Sequence, residues 1–242
     1  MIKFIPLTSF NKEELYDSYF ITGFQGFGLV GYLSTRHIVK ELGLKRMGFI
    51  KTRYMPEFTM YTRDRNIMYP YEVYAGSINN SKVIVLLNHA LPDRRDLTNY
   101  AEYLALYAKE HNVKELILIG GLDQSLRDSQ DEKYRWIPLG NTSIKLDSKI
   151  LEERYIIGPL ALTMMFAVAH GLKGVVILPF TEPYRPDPRA SAIAVEIVGK
   201  IIGVNIETRA LIEEAVLIEA ISAEREKLIE EYEKRSRLSY IQ

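Results

Sequence analysis

The chain has 242 residues, 47% of them hydrophobic, with 31 basic against 31 acidic side chains and no cysteine. That composition supplies ample apolar material for a buried core and is far from a disordered one. Zero net charge without a basic block argues against a nucleic-acid binder, which carries a positive stripe, and the missing cysteines exclude disulfide frameworks and thiolate chemistry.

The first residues, Met1 to Asn11, are too short and mixed for a secretory core, and no apolar run is long enough to span a membrane. A cytoplasmic location is therefore expected. Residues 1–18 read as a lead-in with a helical turn around Glu13 and Glu14. The first core strand is Tyr19–Thr22. It feeds a turn rich in glycine, at Gly23, Gly26, Gly28 and Gly31, which opens a helix over Tyr32–Leu42 with Leu33, Ile38, Val39 and Leu42 on its apolar side. Gly43 follows as a residue that tolerates positive φ. This is the strand, tight loop and helix that begin an α/β sheet, and Arg46–Lys51 supplies the next strand of a β-α-β unit.

Between Tyr54 and Gly76 the period shortens, and Phe58–Thr62 and Tyr71–Ala75 read as a β ribbon, with turn chemistry at Ser77–Ser81. Lys82–Asn88 is a continuous apolar run, as expected of a strand covered on both faces. A helix over Asp96–His111 and a strand over Glu115–Gly120 follow. Residues 122–147 are polar and carry the lone Trp136, and read as an excursion or small hairpin. The α/β rhythm resumes with Tyr155–Ile157 and a helix opened by Gly158-Pro159. Leu160–Ala169 is apolar nearly all round, which places it between the sheet and a second surface. Gly174–Pro179 is another core strand. Asp187 is a plausible N-cap with Pro188 at the first helical position, for a helix over Arg189–Ile202 that Gly203 stops. The last element starts near Glu207. Nothing marks a linker or a repeat, so residues 1–242 read as a single α/β domain, with 207–242 as a long terminal helix and tail.

Gly26-Phe-Gly28-Leu-Val-Gly31 spells G-x-G-x-x-G after a strand and before a helix, where free amide groups and the helix dipole can hold phosphate. A dinucleotide site also needs a carboxylate near the end of the next strand, and that strand ends Ile50-Lys51-Thr52-Arg53. The competing reading is a tight turn packed close to the sheet. The four histidines, His37, His89, His111 and His170, form no metal-ligand spacing. His111 and His170 fall at helix C-termini, where the dipole explains them. His89 follows a buried strand, yet no nucleophile elbow accompanies it, so a structural or interface role is expected. Arg94-Arg95 could hold an anion or be solvated charges, and Glu182 and Asp187 follow a strand without forming a constellation. No catalytic residue, metal ligand or cofactor is assigned.

The terminal segment pairs Glu230 with Lys234, Glu231 with Arg235 and Glu233 with Arg237 at helical spacing, and ends in a mostly apolar tail from Leu238 to Gln242. That arrangement suits a subunit contact or an arm offered to a partner.

Gly23–Gly31, the strand and helix around Val83–Ala108, Gly120-Gly121, Gly158-Pro159, the loop Asp187-Pro-Arg-Ala and the lead-in Gly203-Val-Asn-Ile-Glu-Thr together resemble the proteasome assembly chaperone family, from about residue 19 to residue 220. The resemblance implies a three-layer α/β/α sandwich of the phosphorylase/hydrolase-like kind, with a largely parallel or mixed sheet and a β-ribbon excursion. It implies a non-enzymatic homo-oligomer, and a tetrameric or pentameric ring would suit such a body. In archaeal members it implies a role at the proteasome α ring. Such chaperones dock through a C-terminal hydrophobic-Tyr-any residue motif. Here Tyr240 takes the hydrophobic place and Ile241 stands where the pattern has Tyr, before Gln242. Leu238, Tyr240, Ile241 and Gln242 are the candidate partner-binding residues. Candidate partners are further copies of the chain and proteasome α subunits or another protein, with no nucleic acid or membrane. Two other readings remain: a phosphate- or nucleotide-dependent enzyme using the Gly23–Gly31 loop with Arg94, Arg95 or His89, and an oligomeric scaffold that never meets the proteasome.

Overall fold

The computed structural model describes residues 1–63, 66–222 and 224. In chain order the strands are β1 (Lys3–Pro6), β2 (Tyr19–Gly23), β3 (Lys45–Lys51), β4 (Tyr61–Thr62), β5 (Asn66–Ile67), β6 (Tyr71–Ile78), β7 (Ser81–Asn88), β8 (Glu115–Ile119), β9 (Leu122–Asp123), β10 (Tyr134–Leu139) and β11 (Gly174–Thr181). The helices are α1 (Val30–Glu41), α2 (Leu97–Glu110), α3 (Pro159–Ala169) and α4 (Pro188–Ile202), followed by α5 over 209–222.

All strands but β4 and β5 join one sheet, in the order β1-β3-β6-β7-β2-β8-β11-β10, with β9 beside the end of β11. The four central strands β7, β2, β8 and β11 are parallel, and antiparallel strands flank them on both sides. The alternation along each central strand divides the core in two. Phe20, Ile84, Leu116, Leu118 and Val176 face the side covered by α2 and α3. Ile21, Val85, Ile117, Ile119 and Val175 face α1, α4 and the start of α5. The period of two thus builds a three-layer sandwich whose central strands are apolar on both faces.

Several expectations are met in detail. The Asp187 carboxylate accepts a hydrogen bond from the Ala190 amide, with Pro188 in the first turn and Gly203 left-handed at the C-cap. Gly158-Pro159 opens α3, and His111 and His170 are the C-cap residues of α2 and α3.

Others need correction. The lead-in contains an edge strand, β1, whose four residues end in a proline that only a sheet edge admits. The ribbon shrinks to β4 and β5, because Tyr71–Ala75 belongs to β6 in the main sheet, paired with both β3 and β7. Residues 122–147 are not an excursion: β9 and β10 both pair with β11, and Trp136 is buried in β10 opposite Ile177. Tyr155–Ile157 forms no strand. The second surface expected over α3 is not met within the described residues, where Met165 and Val168 are 59% and 53% exposed. No helix among the described residues is long and apolar enough to cross a membrane.

A polar knot pins the centre of the sheet. Asn88 is fully buried, and its Nδ2 donates to Thr22 Oγ1 at 3.1 Å and to the Gly23 carbonyl at 2.9 Å. The Tyr100 hydroxyl donates to Asn88 Oδ1 at 2.6 Å, and the Thr22 hydroxyl to the Leu86 carbonyl at 3.1 Å. The knot joins β2, β7 and α2 in surroundings where an unmade bond is costly. Asn88→Leu leaves the Tyr100 hydroxyl without its acceptor, and urea unfolding is expected to show a loss of about 3 kcal/mol. A loss below about 1 kcal/mol would show that packing alone holds the three elements.

Candidate functional site

The glycine loop follows β2, runs through a short 3₁₀ turn at Phe27–Leu29 and enters α1. Its glycines are explained mainly by close packing. A Cβ on Gly23 would lie 2.6 Å from the Gly31 backbone, and one on Gly31 would lie 2.5 Å from the Ile119 carbonyl oxygen. Gly28 has φ +60°, and a Cβ there would collide with the Thr181 hydroxyl. Gly26 alone has open space around its Cβ position. The loop amides are also engaged within the chain: Gly28 N–H donates to the Pro183 carbonyl at 3.3 Å and Leu29 N–H to the Gly26 carbonyl at 2.9 Å. The sequence match to a phosphate loop is thus realised as a packing knot among β2, α1, β8 and β11.

Arg94 and Arg95 are not brought to that loop. Arg95 pairs with Asp93 at 2.8 Å and stacks on Tyr54, in a separate depression with Arg53 and Asn99. Glu182 pairs with Arg185. The tail residues Leu238, Tyr240, Ile241 and Gln242, and the charged pairs before them, lie outside the described residues.

His89 does have partners of catalytic type, although the sequence pattern pointed to neither. Its Nε2 lies 3.1 Å from Glu72 Oε2 and its Nδ1 3.4 Å from the Tyr32 hydroxyl. With the Nε2 proton on the carboxylate side, Nδ1 is the acceptor for Tyr32. Glu72 is fully buried in β6. Its other bonds come from Arg46 Nη1 at 2.6 Å, the Tyr74 hydroxyl at 2.6 Å and the Tyr69 amide at 3.1 Å. Burial would raise the Glu72 pKa, but the bonds from His89, Tyr74, Tyr69 and Arg46 outweigh it and lower it to about 2. Every oxygen of the carboxylate is committed and the His89 side chain is nearly closed to solvent, so the cluster serves as a brace. It reaches the glycine loop through Gln25 Nε2, which donates to the His89 carbonyl at 2.9 Å. The hint in the sequence was one acid inside the apolar run Tyr71–Ala75.

The open feature of this end of the molecule lies elsewhere. From β2 the chain leaves through α1 toward β3, on the α4 side. From β8 it runs through β9 and the edge strand β10, and only then crosses the opposite face in α3 to enter β11. Neighbouring strands whose connections diverge leave a crevice at their carboxyl ends. Here it has a volume of about 300 Å³ and is lined by Phe24, Phe27, Leu91, Leu122, Leu160 and the segment 155–159. Gly120 and Gly121 line it without side chains, and among the described residues no charged one does so. Gly120-Gly121 and Gly158-Pro159, which in the sequence mark only a helix start and parts of the family resemblance, meet here. No group of three or more His, Asp or Glu among the described residues is arranged to hold a metal ion.

Comparison with known proteins gives consistent matches. The family model described as the PAC2 family matches residues 20–226. A curated relative, the uncharacterized protein MJ0106 of Methanocaldococcus jannaschii, is 27% identical over 213 residues, covering 86% of this chain and 85% of the relative. The structure is similar to that of Pyrococcus furiosus PbaA, described as an archaeal homolog of proteasome-assembly chaperone. There the TM-score is 0.74 at 26% identity, covering 91% of this chain and 94% of PbaA. It also shares the fold of Pyrococcus furiosus PbaB, described as an archaeal proteasome activator, with a TM-score of 0.77 at 21% identity, covering 93% of this chain and 98% of PbaB.

Two outcomes follow from the site geometry. Gly31→Ala is expected to cost about 1–3 kcal/mol through forced backbone separation, and Gly26→Ala almost nothing. Equal losses of thermal stability in the two variants would overturn the packing explanation. Because the Glu72 pKa is lowered on folding, its contribution is complete above the unfolded value of 4.5 and is lost as pH falls from there toward 2. Urea titrations at several pH values are expected to show on the order of 3 kcal/mol of acid-labile stability that Glu72→Gln lacks. An unchanged acid limb in that variant would place the acid sensitivity elsewhere.

Proposed function

The chain belongs to the PAC2 family, and we propose that it acts in the cytoplasm as a non-enzymatic, homo-oligomeric chaperone of the proteasome-assembly type. In this reading it engages the proteasome α ring through its C-terminal segment, Leu238 to Gln242. The observation that carries the reading is the likeness to PbaA over nearly the whole of both chains, together with the family match.

The site geometry supports the non-enzymatic part. The glycine loop is filled by its own backbone contacts, and His89 is held in a closed ionic brace. Self-association is supported by apolar surface left open on a single copy. Met165 and Val168 project from α3, and Val216, Leu217 and Ile221 from α5. Surfaces of this kind mark contacts with other proteins.

The alternative of a scaffold that ignores the proteasome is favoured by one feature, Ile241 at the penultimate position, which removes the tyrosine hydroxyl from the docking motif. Native mass spectrometry of the protein alone and with purified proteasome α subunits separates the readings. The expected result is a homo-oligomer that forms a mixed complex, lost on deletion of residues 240–242. Met165→Glu with Val168→Glu is expected to lower the homo-oligomeric mass. A stable homo-oligomer that ignores α subunits with or without its tail would replace the proposal with the scaffold reading. A monomer at all concentrations would remove the self-association part.

A further inference from the structure

We propose that the crevice between the carboxyl ends of β2 and β8 is a binding site for a small, uncharged, flat aromatic molecule. This goes beyond the chaperone reading and does not depend on the tail. Three observations bear on it.

The first is position. The crevice opens at the carboxyl ends of two adjacent parallel strands, between α1 on one face of the sheet and α3 on the other, the end at which open α/β sheets receive ligands. The second is size. Its volume of about 300 Å³ is twice that of a dry apolar cavity of about 150 Å³ that takes up benzene, and suits two or three fused or linked rings. The third is chemistry. Phe24, Phe27, Leu122 and Leu160 offer apolar contact, and the two phenylalanine rings offer an aromatic ligand edge-to-face or offset-stacked partners. Among the described residues no Asp, Glu, Lys, Arg or His lines it, so an ion entering would lose its hydration without a partner there. Among the described lining residues only Gln25 and Tyr155 carry a polar side-chain atom, and Tyr155 is 99% exposed. Gln25 spends its amide nitrogen on the His89 carbonyl, which leaves its amide oxygen as an acceptor for a single ligand N–H or O–H.

The same crevice differs from a phosphate site in every respect that matters. The family of ligands that the sequence pattern G-x-G-x-x-G suggests is anionic and held by free amides. The space that the fold leaves open is apolar, and the nearby loop amides at Gly28 and Leu29 are already bonded. Specificity therefore comes from shape and one hydrogen bond.

The test uses two fluorescent probes with one carbon skeleton. N-phenyl-1-naphthylamine is uncharged and has one N–H, and its 8-sulfonate counterpart adds a negative charge. Titration of the full-length protein is expected to give saturable, one-per-chain enhancement with the uncharged probe and at least about tenfold weaker binding of the sulfonate, because the charge is desolvated without compensation. Leu91→Trp narrows the mouth at a residue that is 46% exposed, and Leu160→Phe fills the interior. Each is expected to weaken the uncharged probe about tenfold by displacing it from the apolar space, with circular dichroism and melting unchanged. Leu106→Glu, at an exposed apolar residue of α2 outside the crevice, is expected to leave probe affinity unaltered. Absence of saturable enhancement overturns the proposal, as does equal affinity for the two probes. Retention of binding in folded Leu91→Trp and Leu160→Phe, or its loss in Leu106→Glu alone, would assign the probe to an exposed helix face and equally overturn it.

Discussion

The constraint on which this molecule depends is a backbone-to-backbone approach at the end of its central strand. Gly23, Gly31 and the Ile119 carbonyl lie so close that a single methyl group on either glycine would force them apart. The approach sets α1 directly against β2 and β8. On its other side, Gly28 lies against Thr181, at the end of β11. Gly121 is held in the same way, since a Cβ there would strike the Phe27 carbonyl. Two loops thus interlock through main chain alone. The crevice is what remains between them once side chains have been excluded from the contact, which is why glycine lines it and why its apolar residues stand around the rim.

Backbone contacts of this kind give little attraction by themselves, and the neighbouring polar groups supply direction. Asn88 and His89 are consecutive residues at the end of β7, and they point to different networks. Asn88 gathers Thr22, Gly23 and Tyr100. His89 gathers Glu72, Tyr32 and, through its carbonyl, Gln25. Arg46 extends the second network outward, because the nitrogen that reaches Glu72 also donates to the Ile67 carbonyl of β5. A buried carboxylate is tolerable only when all its acceptors are used, and Glu72 meets that condition with four donors. The consequence is a braced carboxyl end of the sheet, in which the glycine loop cannot shift without breaking bonds to Asn88 of β7 and to His89 beyond it.

How much of this was legible in the residues depends on whether the signal was local. The central strands were visible because a strand covered on both faces is a continuous apolar run, as in Lys82–Asn88 and Gly174–Pro179. The caps at Asp187-Pro188 and Gly203 were visible because capping chemistry is written in adjacent residues. The β1 edge strand was hidden by its brevity and its proline, and the pairing of β10 with β11 by a polar stretch of some ten residues before it. The candidate site was half legible. The glycine loop at Gly23–Gly31 stood out, but the Glu72–His89–Tyr32 contact joins residues far apart in sequence, and no spacing rule anticipates it. The crevice was hidden for the same reason, since Leu91, Leu122 and Leu160 look like ordinary core residues until topology brings them together.

The open apolar faces carry one more consequence for the proposed oligomer. α3 lies on one face of the sheet and α5 on the other. A two-fold contact places the same patch of two copies together, so pairing through α3 would leave α5 uncovered, and pairing through α5 would leave α3 uncovered. A head-to-tail contact, in which the α3 side of one copy meets the α5 side of the next, covers both faces of each copy with a single kind of interface. Such a contact either closes into a ring or runs on as a filament, and closure is what keeps a heterologous contact soluble. In the proposed oligomer α3, apolar nearly all round, thus ties the form of the assembly to the layering of the fold: one side packs on its own sheet, and Met165 and Val168 on the other would be covered by the next copy.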